Sequence, residues 1–128
     1  LGGDGWDSSK LYEIGGSALD GYYFSNHYST DDPSPAIQNF IKTYKAKYKE
    51  TPDALAALAY DAMLITADAM GRASQPTGEP LRKAIAATKG FKGVTGVITL
   101  DADHNAVKPA VILKITGKKP AYAGTIKP

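Results

Sequence analysis

The sequence predicts a mixed α/β chain whose strands cannot all be neighbours in one compact sheet. Three observations lead there. The element order reads strand, short helix, strand, two or three helices, then strands again. The middle carries apolar residues at helical spacing with clear start signals. The last third switches to alternating β-type runs. Size permits a real core, since 128 residues fit one ordinary domain and such a domain buries roughly two-thirds of its unfolded surface. An apolar fraction of 43% and a charged fraction of 22% argue against disorder.

The chain opens on Leu1-Gly2-Gly3-Asp4-Gly5-Trp6, which reads as a strand end running into a glycine turn, as if cut from something longer. No signal-peptide pattern is present, as expected also of a mature or trimmed chain. Residues 8–14 can form a short helix, with Ser8 or Ser9 as cap and Gly15-Gly16 as its end. Residues 19–26 are aromatic-rich and read as a strand. Ser34 and Pro35 then start the clearest helix, whose Ile37, Phe40, Ile41, Tyr44 and Tyr48 form one stripe. Asp53 starts a second long helix, to about Ala73, that is apolar around most of its circumference and should be packed between other elements. Its run 54–70 holds Asp61 and Asp68, so it reads as a buried helix rather than a bilayer span. A third helix is expected at 80–88, ended by Lys89-Gly90. Runs 94–100 and 110–116 read as strands, 101–105 and 117–120 as turns, and 122–128 as weakly strand-like.

Composition excludes several chemistries. The chain has no cysteine, so disulfides, thiol catalysis and cysteine-ligated metals are out. Net charge is only +2. Lys42, Lys45, Lys47 and Lys49 form a solvated helix face rather than a nucleic-acid platform, because Tyr44 and Tyr48 between them sit at core spacing. Asp101, Asp103 and Asn105 start a calcium-loop pattern that fails at Ala106 and Ile112, so a turn explains them better. His27 and His104 have no helical histidine partner for zinc. No serine lies in Gly-x-Ser-x-Gly, and no phosphate-cradling loop occurs. Asp61 and Asp68, two turns apart, read as a polar helix edge rather than an acid–base pair. No cofactor is expected.

One constellation remains. The glycines around Asp4 let backbone approach a ligand closely, at the strand end where open α/β sheets bind ligands. Asp4 can accept hydrogen bonds from an ammonium, and Trp6 offers an apolar wall. The same residues also allow a plain Asx turn with a packing tryptophan. The pattern is not the dinucleotide fingerprint, which would need glycine at Ser8.

Several stretches, in order, resemble the substrate-binding proteins of branched-chain amino-acid ABC transporters. They are Gly-Gly-Asp-Gly-Trp at 2–6, Leu-Asp-Gly-Tyr-Tyr-Phe-Ser-Asn-His-Tyr at 19–28, and Phe-Ile-Lys-Thr-Tyr-Lys-Ala-Lys-Tyr at 40–48. Thr-Pro-Asp at 51–53, Ala-Tyr-Asp-Ala at 59–62, Gly-Val-Thr-Gly-Val-Ile-Thr-Leu-Asp at 93–101 and Lys-Pro-Ala-Val-Ile at 108–112 complete the set. The resemblance implies the C-terminal portion of a two-lobed periplasmic binding protein type I fold, with strands split between two sheets. It places residues 1–26 in the second lobe, 27–107 in the first, and 108–128 back in the second. It implies an amino-acid ligand, probed by Asp4 at its ammonium, Gly5 and Trp6 beside it, and Leu55 as an apolar contact. Many family members carry glutamate where Asp4 stands. The implied partners are a transporter permease and the missing N-terminal part, which would hold the ligand's carboxylate. The implied location is periplasmic, or extracellular on a lipid anchor.

Two other roles compete with transport. A ligand-sensing receptor domain of the same fold would look identical in this stretch. A stand-alone enzyme would need a nucleophile and base in reach, and the sequence offers none, so the chain is read as a non-enzyme. If a fragment, it should expose apolar faces and bind amino acids poorly alone.

Overall fold

The computed structural model describes residues 1–128. Two three-stranded sheets are present. The first orders β1 (Tyr23–Asn26), β5 (Ala110–Thr116) and β6 (Lys119–Ile126), all antiparallel. The second orders β2 (Phe91–Gly93), β3 (Gly96–Leu100) and β4 (Ala106–Val107), also antiparallel. The helices are α1 (Ser9–Gly15), α2 (Pro35–Tyr48), α3 (Ala54–Arg72) and α4 (Gly78–Ala86).

Each sheet has its own core. Phe24 pairs with Leu113 across β1 and β5, and Ile115 lies two residues on, so all three side chains share one face. They are buried, with Trp6, Leu11, Tyr12 and Leu19 packed over them. Full burial of each such side chain contributes about 1.5–3 kcal/mol. The second core gathers Ile37, Phe40 and Ile41 of α2, Ala54 and Ala57 of α3, Tyr28, and Val94 beside β2. The predicted α2 stripe is therefore buried at its start, while Tyr48 is exposed at its end.

Local signals act as expected at three helix starts. The Ser8 hydroxyl accepts from Lys10 N, Pro35 opens α2, and the Asp53 carboxylate accepts from Ala56 N at 2.8 Å. Elsewhere the structure corrects the sequence. The strand expected over 19–26 shrinks to Tyr23–Asn26, because Gly16–Leu19 forms a 3-10 turn and Gly21 takes a left-handed φ of 86°. The third helix starts at Gly78, so Pro80 sits in its first turn, where backbone N–H groups have no helical acceptor anyway. Strand β2 is an addition, too short for any period to reveal.

Helix α3 differs most. One flank meets α2, with Phe40 and Tyr60 rings 4.8 Å apart. Another meets α4, where Arg72 donates to the Ala84 carbonyl and pairs with Asp68. The face bearing Leu55, Met63 and Met70 is covered by nothing in this chain. Asp68 lies on the polar edge, as read. Asp61 does not: it is buried, and its two carboxylate oxygens accept from Val94 N and Thr95 N, each at 2.8 Å. A buried carboxylate needs such partners, and the turn between β2 and β3 supplies them.

Candidate functional site

The site begins at Gly2. Its backbone bridges to β1 in parallel, donating to the Tyr23 carbonyl and accepting from Ser25 N. This fixes the chain end against the first sheet. A 3-10 turn, Asp4–Trp6, follows at once, held by Trp6 N donating to the Gly3 carbonyl. The Trp6 ring folds back over Gly2, so closely that a Cβ there would clash with the indole. Gly2 is thus required by the close approach of an aromatic ring.

That fold-back places Asp4 outward. Its side chain is 65% exposed, and one oxygen lies 3.0 Å from His27 Nε2. The hydrogen bond from His27, then the attraction of its charge, holds the Asp4 carboxyl below its ordinary range. His27 stands directly after β1, its backbone N–H bound to the Asn26 side chain.

Asp4 and Gly5 line a cleft of about 510 Å³ with Asp7, Ser8 and His27; Asp53, Ala54 and Leu55 form its other wall. Leu55 is 73% exposed, so its side chain is free to touch a ligand. The cleft thus combines an open carboxylate with an apolar side chain on the opposite wall. Three of the four residues singled out from the sequence come together here. Trp6 is the exception. It lies over Gly2, with Tyr22 and Phe24 rings each 6.4 Å away, and does not line the cleft.

The remaining sequence candidates resolve into structure. Asp101 accepts from Asp103 N and Asn105 N, and the Asn105 contact foremost lowers its acidity range, so the polar run is a turn. No three His, Asp or Glu side chains converge as a metal site needs. Sequence reasoning missed His27 as the partner of Asp4, and Asp7, whose carboxylate accepts from Ala54 N at 2.8 Å. Neither pairing has a local signal, because the partners lie 23 and 47 residues apart.

Comparisons with known proteins agree on the fold. The family model for periplasmic binding proteins matches residues 1–120. A leucine binding protein from Thermotoga maritima superposes with a TM-score of 0.86 and 35% identity, over 98% of this chain. A branched-chain amino acid transporter substrate binding protein from Streptococcus pneumoniae, solved with isoleucine, gives 0.84 and 34% over 98%. An ABC transporter solute binding protein from R. palustris, solved with benzoate, gives 0.75 and 27% over 98%. This chain spans only 36% of the length of the first two and 35% of the third. No curated protein sequence matches it. The two sheets and their helices are thus part of a periplasmic binding protein type I fold.

Proposed function

The chain belongs to the periplasmic binding protein family, and from that premise we propose that it is the C-terminal part of an extracytoplasmic amino-acid carrier serving an ABC transporter. The observation that carries this reading is the open Asp4 carboxylate facing Leu55 across the cleft. An α-ammonium is the group that an exposed carboxylate on a close-approach glycine turn recognises best. Gly5 lets the ligand backbone come near, and Leu55 takes an aliphatic side chain. Trp6 acts indirectly, by turning Asp4 outward. The protein binds and releases its ligand without chemistry.

The two sheets support the lobe boundaries at 26 and 108. Strands β1, β5 and β6 share one sheet, β2 to β4 the other, and the chain passes between them after Asn26 and at Lys108-Pro109. The uncovered α3 face and the 36% coverage of relatives support an N-terminal part that completes the first lobe and binds the ligand's carboxylate. Hand-over to a permease, and a periplasmic or surface-anchored location, follow from the same reading.

Calorimetry on the full-length parent tests it, with leucine, isoleucine, valine and benzoate as ligands. The amino acids should bind, and Asp4→Ala should weaken them more than about ten-fold. Benzoate, which lacks an ammonium, should bind poorly and ignore the substitution. Amino-acid affinity that survives Asp4→Ala intact overturns the assignment.

A further inference from the structure

We propose that Asp7 latches the two walls of the cleft together, a positioning residue that slows ligand escape because its carboxylate is spent on the Ala54 N–H. The proposal rests on the amino-acid-binding role of the cleft. Asp7 follows the Asp4–Trp6 turn, and its backbone N–H donates to the Asp4 carbonyl. Acid and latch therefore ride on one rigid turn. The Asp7 carboxylate accepts the N–H of Ala54, the first residue of α3, at 2.8 Å. This is the only side-chain hydrogen bond from residues 1–26 to α3.

Helix α3 does not need this bond in order to start. Asp53 already caps it locally through Ala56 N, and the Tyr28 hydroxyl holds the Pro52 carbonyl just before it. A second carboxylate, supplied from 47 residues away, is surplus to helix formation. Its position tells what it does. Asp7, Ser8 and Asp53 line both the 510 Å³ cleft and a second opening of about 430 Å³ on the other side. The bond spans the gap between those openings, beside the Asp4–His27 pair that also joins residues 1–26 to the rest of the chain.

The units are joined through the connections after β1 and at Lys108-Pro109. Rotation about these connections would separate Asp4 from Leu55 and break the Asp7–Ala54 bond together. A contact made only in the closed form adds its full free energy to ligand retention, because it raises the closed population. Entry occurs through the open form, so association is untouched and dissociation carries the effect.

Stopped-flow and calorimetry on the full-length protein, with leucine, isoleucine and valine as probes, test the latch. Asp7→Ala should speed dissociation about ten-fold, leaving the association rate and ligand-free melting temperature unchanged. Asp7→Asn keeps an acceptor oxygen and should recover most of the loss. Ala54→Pro deletes the donor at a first helical position, which tolerates proline. Asp53 already has the extended backbone (φ −86°, ψ −177°) that a residue before proline requires. The Asp7→Ala, Ala54→Pro double variant should release ligand no faster than the faster single variant. An unchanged dissociation rate in Asp7→Ala, or additive effects in the double variant, overturns the latch while leaving the carrier role intact. A wild-type protein that binds none of the three amino acids overturns the carrier role, and the latch with it.

Discussion

Asp4 and Asp61 carry the same group, and each meets a glycine-bearing turn, yet their surroundings assign them opposite work. Asp61 projects from the middle of α3 into the turn between β2 and β3, where Val94 N and Thr95 N occupy both of its oxygens. Gly93 leaves just enough room, since a Cβ there would lie 2.5 Å from the carboxylate. Asp4 belongs to its turn and is largely exposed, with a single, half-buried partner in His27. A carboxylate saturated by backbone N–H groups has nothing left to offer a ligand. One left in a cleft with exchangeable contacts does.

Substitutions sharpen this contrast in descending size, all in the full-length protein. Asp61→Ala should show the largest loss of stability, about 3 kcal/mol by denaturant unfolding, because it strands two buried N–H groups. A loss below about 0.5 kcal/mol would mean that water or a rearranged turn replaces the carboxylate. Gly93→Ala should cost about 1–3 kcal/mol, since the carboxylate must move or the turn must shift. A neutral result would show that the packing around Asp61 is loose. Asp4→Asn should leave the melting temperature where it is and weaken amino-acid binding only. A clear fall in melting temperature would move Asp4 into the same class as Asp61.

The smallest effect is a titration. The Asp4 carboxyl is lowered below its ordinary 3.8 by the His27 hydrogen bond first and by charge attraction second. A lowered acid contributes stability above its unfolded value and loses it as pH falls through the folded value. Nuclear magnetic resonance should therefore place the Asp4 midpoint below 3.8, and His27→Ala should raise it toward the ordinary value. An unmoved midpoint would show that the two side chains do not meet in solution.

Much of the architecture was legible in the chain because it depends on neighbours in sequence. Ser8, Pro35 and Asp53 start helices through bonds or ring geometry spanning three residues or fewer. The α2 stripe and the alternation of Leu113 and Ile115 follow from the period of each element. The candidate site was half legible. Asp4, Gly5 and Leu55 do share one cleft, whereas Trp6, read as a wall of that cleft or as a packing ring, packs over Gly2. A ring beside two glycines packs inward as easily as outward, and only Phe24 and Tyr22 beneath it decide which.

What the sequence by itself determined is the four helices and the four longer strands, their order, and the glycine turn that presents an acid. Only the tertiary structure decided which acids are free. Asp61 is tied to a turn 33 residues away, Asp7 to a helix 47 residues away, and Asp4 to a histidine 23 residues away. A hydrogen bond acts over 3 Å of space, whereas a local signal acts over a few residues of chain, so such pairings exist only once the chain has folded.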